Sequence, residues 1–232
     1  MKIAYLFTIH KNLDLFNRVF KTVYDPGDYY LIHADRRADA GFHQGVREFI
    51  RDYPNVYQME SLPCMYAAWS LMEVQLRGID QLLGVGDDWR YFINLSGQDF
   101  PLRSQKHLKD FLAQSPDRNY VDVQDPVKVW PRALIRARYY YLELRFFPLR
   151  PIWIPIKRRF LPNVKYYAGS AWVTLTRDFC EWLLSDPEMK PFRRFFKYTL
   201  CPNEAFLQTA IMHSPFKSTV VNHNMRVIHL AG

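Results

Sequence analysis

The spacing of hydrophobic and polar positions predicts alternating strands and helices over the first half of the chain. Short apolar runs bounded by turn-forming residues are typical of buried strands, and longer stretches with one apolar face are typical of amphipathic helices. Strands are predicted at residues 3–9, 29–33, 55–58, 91–95 and 120–123, and helices at residues 13–23, 40–52, 66–83 and 102–114. This alternation predicts a mostly parallel sheet with helices on both faces.

The pattern changes after residue 125. Residues 126–165 are rich in Pro, Arg, Lys and aromatic residues and show little periodicity. Beyond them, strands are predicted at residues 165–176, 219–221 and 226–230, and helices at residues 177–184, 188–198 and 203–213. No internal repeat or interdomain linker interrupts the sequence, so the 232 residues are expected to form one domain.

The composition fits a folded, basic protein. Hydrophobic residues make up 49% of the chain and aromatic residues 16%, which is enough for a large core, and disorder is not expected at 23% charged residues. The formal net charge of +8 favours anionic partners such as nucleotide phosphates, acidic glycans, nucleic acid or an anionic membrane. Charge alone does not choose among these partners.

The three cysteines, Cys64, Cys180 and Cys201, are odd in number and widely spaced. This pattern argues against a disulfide framework and a zinc module, and it predicts reduced thiols in a cytoplasmic protein. Cys180 lies in an apolar helical pattern and is expected to be buried. The chain runs from Met1 directly into a strand, and no apolar run approaches the roughly 20 residues that span a bilayer, so neither a signal peptide nor a transmembrane segment is expected.

A polar loop with one carboxylate follows the apolar run at residues 91–95. The strand stops at Ser96-Gly97, Asp99 comes next, and Pro101 closes the segment. Ligands of open α/β sheets bind at the carboxyl ends of the strands, so this loop is a candidate binding element. The alternative is a strand-to-helix loop whose Ser and Asp side chains accept hydrogen bonds from the backbone.

The string NLSGQDFPL, which begins at Asn94, resembles the NLSG-D-P signature of the core-2/I-branching N-acetylglucosaminyltransferase family, which includes the peptide O-xylosyltransferases. Other stretches resemble this family in the same order along nearly the whole chain. They are KIAYL from Lys2, YLIHAD up to Asp35, AWS from Ala68, GSAW from Gly169 and PNE up to Glu204.

This resemblance implies an α/β, GT-A-like, Rossmann-like fold. A nucleotide-sugar-binding half is expected over residues 1–125, and an acceptor-binding and catalytic half over residues 126–232. Eukaryotic members carry an N-terminal membrane anchor and lumenal disulfides, neither of which this sequence shows. The chain therefore resembles a bacterial-type soluble or peripheral enzyme.

The function that the resemblance implies is inverting, metal-independent transfer of N-acetylglucosamine or xylose from a UDP-sugar to a hydroxyl of a glycan or other acceptor. Glu204 would be the general base that takes the proton of the attacking hydroxyl. The family has Asp where this chain has Asn203. The effect of this neighbouring residue on the reactivity of Glu204 is therefore left open. The alternative for Glu204 is a residue in the first turn of a helix that only stabilises the helix dipole.

The donor side is also assigned by resemblance. Arg226 matches the family's diphosphate arginine, and its alternative is a solvated charge at a strand end. Asp35 could instead cap the turn after its strand, while Gly169 would let the backbone approach a ligand closely. The donor-binding residues implied by the resemblance are Asp35, Ser96, Gly97, Asp99, Ser170 and Arg226.

No cofactor is expected besides the UDP-sugar donor. Many nucleotide-sugar transferases hold a divalent metal with Asp-x-Asp, which this sequence lacks, so basic side chains are expected to neutralise the departing UDP. His33 and Asp35 alone do not make a metal site. The family's second phosphate-binding residue is a lysine in a later segment, and the chain ends at Gly232 before it. Either the sequence is C-terminally truncated or another cation substitutes.

Three uses compete for the basic and aromatic residues between 126 and 165. The preferred one is an acceptor-binding loop, with Arg132, Arg136 and Trp172 as candidate acceptor ligands. The second is a peripheral contact with the inner face of the membrane, in which residues 145–159 place aromatic side chains in the interface. Nucleic-acid binding is the least favoured, because acidic residues are scattered among the basic ones throughout the first half.

A rival function from another class is a non-catalytic module that binds glycans or membrane surfaces on a degenerate transferase fold. The missing lysine segment and Asn203 favour it, while the intact Glu204 argues against it. Neither Gly-x-Gly-x-x-Gly nor Gly-x-x-x-x-Gly-Lys-Ser/Thr occurs, which disfavours a dinucleotide oxidoreductase and a P-loop enzyme. Trp69 is interpreted as a packing residue.

Overall fold

The structure is a computed structural model, which describes residues 1–129, 131–144 and 150–227. Its strands are β1 (Lys2–Ile9), β2 (Tyr29–Ala34), β3 (Val56–Gln58), β4 (Trp89–Ser96), β5 (Asn119–Val121), β6 (Tyr139–Leu142), β7 (Ile152–Lys157), β8 (Val173–Thr176) and β9 (Val220–Val221). In the described residues, seven strands form one sheet in the order β3-β2-β1-β4-β8-β5-β9. Within that sheet β8 is antiparallel to its neighbours β4 and β5, and the other pairs are parallel.

Helices cover both faces of this sheet. The helices are α1 (Leu13–Val23), α2 (Ala40–Ile50), α3 (Trp69–Val85), α4 (Gln105–Ala113), α5 (Pro126–Val129), α6 (Arg132–Arg138), α7 (Arg177–Ser185), α8 (Met189–Phe196) and α9 (Phe206–Met212). Successive residues of a strand point to opposite sides, so Tyr5 and Phe7 of β1 pack with α1 and α2, while Leu6 packs with α3 and α7. The two buried faces of this mostly parallel sheet confirm the α/β, Rossmann-like class predicted from the sequence.

Helix α1 illustrates how the apolar pattern produces this packing. Phe16 and Phe20 are spaced by one helical turn and therefore lie on the same side of the helix, where both are fully buried. Their rings contact Phe7 of β1 at centroid distances of 5.6 and 6.0 Å. Burying each such ring contributes about 2–3 kcal/mol, so this aromatic cluster holds the helical layer against the sheet.

The second half contains more regular structure than its sequence pattern predicts. Residues 126–165, which show little periodicity and were interpreted as a loop with some helix, include α5, α6 and the antiparallel pair β6–β7. Most side chains of β7 are exposed, so the strand lacks the alternation of apolar and polar residues that reveals a half-buried strand. Pro155 within the run further disguises it.

Two predicted helix starts are corrected by the backbone. The helix predicted from residue 66 begins at Trp69 instead, because Ala67 has a left-handed φ of 61° that no helix accommodates. The helix predicted over residues 203–213 is divided into a 3₁₀ turn, Pro202–Glu204, and α9. Ala205, with φ −147°, separates the two.

Two predicted strands are also corrected. The strand predicted over residues 165–176 is confined to β8, preceded by a single bridge between Ala168 and Gln124. Of the strand predicted over residues 226–230, Arg226 and Val227 are not in a strand, and the remaining residues lie outside the described part.

The structure contains no disulfide bond among its three cysteines. Cys64, Cys180 and Cys201 are all free. Cys180 is fully buried, and burial raises the pKa of its thiol, as expected for a residue that acts as a small hydrophobe. Among the described residues, no helix has both the length and the apolar character needed to cross a membrane.

A buried carboxylate joins the start of β1 to α4. Asp28 has no exposed side-chain surface; its Oδ1 accepts hydrogen bonds from the Ile3 amide at 2.9 Å and from Lys109 Nζ at 2.8 Å. Lys109 also pairs with Asp25 at 2.9 Å. Burial raises the pKa of Asp28 despite these partners, and the pKa of Lys109 is raised because the two carboxylates outweigh its desolvation.

We expect Lys109→Met to lower the free energy of unfolding by about 3 kcal/mol, because it leaves Asp28 buried without its cation. The matched control is Lys106→Met on the same helix, which breaks an exposed pair with Asp110 and is expected to change stability by less than about 0.5 kcal/mol. Urea unfolding of the three proteins at neutral pH measures both effects. Equal stability of the two variants would show that the buried pair is not a stabilising element.

Candidate active site

Several of the predicted site residues lie at the carboxyl ends of the parallel strands. Asp35 follows β2, and the loop at residues 96–99 follows β4. Both strands flank β1, so these two segments meet the end of β1 on either side. Gly97 lies against β1 so closely that a Cβ would be 3.1 Å from Ile9 Cγ2. The sheet therefore brings the two segments to one edge, as the sequence predicts.

The carboxylate of Asp35 is engaged by the backbone. The residue is 8% exposed. Its Oδ1 accepts a hydrogen bond from the Arg37 amide at 2.8 Å, and its Oδ2 accepts one from the Cys64 amide at 3.2 Å. This is the capping role that the sequence allows as an alternative. It closes the turn after β2 and ties it to the segment before α3.

The loop after β4 is also closed by its own side chains. Asp99 Oδ2 accepts a hydrogen bond from the Ser96 amide at 2.5 Å, and Ser96 Oγ accepts one from the Gln98 amide at 3.2 Å. These are the local hydrogen bonds of an ordinary polar loop. They also direct the loop towards Arg226, and Asp99 and Arg226 line the same two cavities, of about 80 and 340 Å³.

Asn94 is the residue that joins the separate segments of the site. It is 9% exposed in β4, and its Nδ2 donates to the Ala171 carbonyl at 2.9 Å while its Oδ1 accepts from the Val173 amide at 2.9 Å. Its own carbonyl accepts a hydrogen bond from Arg226 Nη2 at 2.9 Å. The sequence motif contains Asn94, but its role was missed. An amide inside an apolar strand is the available signal, because it must find buried partners.

Arg226 is a half-buried cation beside the loop after β4. Burial lowers the pKa of its guanidinium, and the Asp99 carboxylate acts in the opposite direction. Its Nε is buried and has no hydrogen-bond partner among the described residues. The guanidinium also lies 5.7 Å from the ring centroid of Trp172. The guanidinium is therefore held in place by two groups, and its Nε–H is buried without a hydrogen-bond partner among the described residues.

The segment at residues 169–172 connects Arg226 to Glu204. Ser170 Oγ accepts a hydrogen bond from the Trp172 amide at 3.3 Å, and the Ser170 carbonyl accepts one from Gln208 Nε2 at 2.6 Å. The Gly169 amide donates to the Glu204 carbonyl at 2.8 Å. A Cβ at Gly169 would lie 1.8 Å from the Asp122 carbonyl oxygen, so the missing side chain lets this residue pack against the protein's own backbone. The expected approach of a ligand to Gly169 stays a prediction.

Glu204 forms an ion pair with Arg136 of α6. The Arg136 Nη1 to Glu204 Oε2 distance is 2.6 Å, and the two side chains are 25% and 35% exposed. Glu204 Oε1 has no hydrogen-bond partner in the described part of the chain. The expected position of Glu204 in the first turn of an α-helix is wrong, because it ends a 3₁₀ turn that Ala205 separates from α9. The Glu204 carboxylate is therefore oriented by its ion pair with Arg136. It does not lie in the first turn of an α-helix, where the helix dipole would stabilise its charge.

The remaining predicted residues are placed as follows. Trp69 is buried and meets Phe206 edge to face at 5.7 Å, which confirms its interpretation as a packing residue. Trp172 is half-buried beside Arg226. Arg132 begins α6, and its side chain lies outside the described residues. Within the described ranges, no group of three or more His, Cys, Asp or Glu side chains is arranged to hold a metal ion.

Similarity to known proteins extends over almost the whole chain. The model of the core-2/I-branching enzyme matches residues 3–230. Xylosyltransferase 2 of Canis lupus familiaris is 30% identical over 234 residues, which cover 98% of this chain and 26% of that protein. The beta-1,3-galactosyl-O-glycosyl-glycoprotein beta-1,6-N-acetylglucosaminyltransferase 3 of Homo sapiens is 28% identical over 224 residues, covering 95% and 50%. The chain thus spans about a quarter to a half of the length of these relatives.

Solved structures show a weaker similarity. Core-mannan synthase A (CmsA/Ktr4) from Aspergillus fumigatus is 9% identical with a TM-score of 0.41, and the match covers 94% of this chain and 71% of that one. The mannosyltransferase Ktr4p from S. cerevisiae is also 9% identical, with a TM-score of 0.40 and coverage of 93% and 67%.

We expect Gly169→Ala to lower the free energy of unfolding by about 2–3 kcal/mol, because its Cβ would collide with backbone that cannot give way as a side chain can. Gly84→Ala is the matched control, since a Cβ at Gly84 in α3 meets nothing within 4 Å. That variant is expected to gain about 0.5–1 kcal/mol from helix propensity. Urea unfolding measures both, and an unchanged stability of Gly169→Ala would contradict the close approach to Asp122.

Proposed function

Because this chain belongs to the core-2/I-branching enzyme family, we propose that it is an inverting glycosyltransferase that uses a UDP-sugar without a divalent metal. The observation that carries the proposal is the ion pair of Glu204 with Arg136, which leaves Oε1 of the carboxylate available. The proposed donor sugar is N-acetylglucosamine or xylose. The proposed acceptor is a hydroxyl of a glycan or other molecule, and the proposed location is the cytoplasm, with no nucleic-acid partner.

Glu204 would act as the general base. Its Oε1 takes the proton of the acceptor hydroxyl while the hydroxyl oxygen attacks the anomeric carbon of the donor sugar. The bond from that carbon to the diphosphate oxygen breaks, and UDP leaves with the electron pair. A base on the face opposite the leaving group gives inversion in one displacement.

Arg136 would serve the acceptor side through this base. Its guanidinium neutralises part of the carboxylate charge and fixes the orientation of Glu204 by a charge-assisted hydrogen bond. Because Arg136 sits on Oε2, the other oxygen is the one that would face the acceptor. Trp172 would add an aromatic surface against which a sugar ring can pack.

Arg226 would stabilise the negative charge that develops on the departing diphosphate. The Asn94 carbonyl and the Trp172 ring hold its guanidinium before the donor binds, and Arg226 lines the two cavities that Asp99 also lines. A preorganised cation of this kind can take the place of a metal ion. The donor pocket would be completed by residues at the same sheet edge: Asp35, Ser96, Gly97, Asp99 and Ser170.

The rival proposal is a non-catalytic module that binds glycans or membrane surfaces. One observation favours it: both carboxylate oxygens of Asp35 already accept backbone hydrogen bonds, so this residue has fewer free acceptor positions for a nucleotide. Sugar transfer by the purified chain separates the two proposals, because the rival predicts ligand binding without turnover.

We expect Glu204→Gln to lower kcat for sugar transfer by about 10²–10⁴-fold, since the amide cannot accept the hydroxyl proton. The assay uses UDP-N-acetylglucosamine and UDP-xylose in the presence of EDTA, and titration calorimetry measures UDP binding, which is expected to be unchanged. Glu181→Gln is the matched control, because it removes a carboxylate that pairs with Arg177 elsewhere on the surface. Turnover of Glu204→Gln close to that of the control would exclude Glu204 as the base, and activity that appears only with Mn²⁺ would exclude the metal-free mechanism.

Arg226→Gln is expected to weaken UDP binding by about 10–100-fold through loss of charge-assisted hydrogen bonds, while uridine binding stays nearly constant. Arg47→Gln removes an exposed cation of α2 and serves as the control for net charge. Calorimetric titration with UDP and with uridine gives both dissociation constants. An equal loss of affinity for the two ligands would assign Arg226 a structural role only.

A further inference from the structure

A second, strongly basic concavity lies where the end of β7 meets α8, and its lining residues differ from those of the candidate active site. Its volume is about 490 Å³. The lining contains four cationic residues, Arg158, Arg159, Lys190 and Arg194, and no carboxylate. Tyr140 and Tyr198 are among the other residues that line it. A concave surface with several cations and no acid favours an anionic ligand.

One of these cations is structural. Arg158 donates hydrogen bonds to the carbonyl oxygens of Phe195 and Tyr198, and its guanidinium lies 4.1 Å from the centroid of the Phe195 ring. Burial lowers the pKa of this guanidinium. Arg158 therefore links the end of β7 to α8, and it is one of the residues that line the concavity.

The other three cations are exposed and have no ion-pair partner in the described part of the chain. Lys190 and Arg194 are one helical turn apart on α8, and Arg159 comes directly after the structural arginine. The opposite side of α8 is buried, with Met189, Phe192 and Phe196 in the core. The helix thus presents its charge outward at the concavity, where no carboxylate lines the surface to neutralise it.

Exposed apolar side chains lie on β7, the strand that leads into this charged surface. β7 leads directly into Arg158 and Arg159, and its Trp153 and Ile156 are 55% and 60% exposed. Ile152 is exposed as well. Large apolar side chains at the surface next to cations are typical of proteins that insert into the interface of an anionic bilayer. An acidic glycan would bind the cations, but contact with the exposed isoleucine side chains would not stabilise its binding.

We propose that the surface formed by Arg159, Lys190, Arg194 and the exposed side chains of β7 docks the protein on a membrane that contains anionic phospholipid. The phosphate of a headgroup would occupy the concavity, and the side chains of Trp153 and Ile156 would enter the interface. This docking does not depend on the proposed transfer reaction, because the residues involved are not those of the candidate active site.

The test is sedimentation of the purified chain with vesicles of phosphatidylcholine, alone or mixed with phosphatidylglycerol. Binding is expected only to the mixed vesicles. The triple variant Arg159→Gln, Lys190→Gln, Arg194→Gln is expected to bind them on the order of 100-fold more weakly. The matched control, Lys11→Gln, Arg18→Gln, Arg47→Gln, makes the same change in net charge at exposed positions of the first half and is expected to bind within about threefold of the unchanged protein. Circular dichroism confirms that both variants are folded.

A second variant tests the apolar part of the surface. Ile156→Ser is expected to weaken binding to the mixed vesicles by about 10-fold and to leave its salt dependence unchanged. Equal binding to vesicles with and without phosphatidylglycerol would overturn the proposal, as would equal binding of the two triple variants. Retention on heparin without binding to vesicles would overturn it in favour of an acidic glycan. If glycerol phosphate does not compete with the mixed vesicles and the triple variant loses vesicle binding, the two results together support a site that needs the bilayer itself.

Discussion

The hydrogen bonds of Asn94 are the constraint on which the candidate active site depends. This side chain lies within a buried strand, and its amide forms hydrogen bonds with the backbone of Ala171 and Val173. The backbone carbonyl of Asn94 also accepts a hydrogen bond from Arg226. One residue of β4 thereby positions two segments that are far apart in the sequence. Because an unsatisfied amide costs about 1–3 kcal/mol when buried, these hydrogen bonds favour the packing of both segments against β4.

The two ends of the site differ in how their charges are held. At one end, Glu204 and Arg136 are partly exposed and paired with each other. At the other end, Arg226 is held by a carbonyl and an aromatic ring and keeps an unpartnered Nε–H among the described residues. The proposed base requires a carboxylate with one oxygen available, and the proposed phosphate ligand requires a cation held in place beside a cavity, as Arg226 is.

The sequence predicted the architecture well where its signal was local. The βα pattern of the first half places β1, α1, β2 and α3 close to their observed bounds, because burial on both faces of a parallel sheet demands continuous apolar runs. The β6–β7 pair was not recognised, since most side chains of β7 face solvent and leave no periodic pattern. The resemblance to a family supplied the candidate residues, and the sheet topology confirms that Asp35 and the loop after β4 share one edge.

By itself, the sequence determined the fold class, the family and the identity of the charged residues, because apolar periodicity and short motifs are properties of contiguous residues. Only the tertiary structure decided which of those charges meet. The pairing of Arg136 with Glu204 spans 68 positions and the contact of Arg226 with Asn94 spans 132. Contacts over such separations arise from the order of strands in the sheet and the need to satisfy buried polar atoms. No local pattern in the chain encodes them.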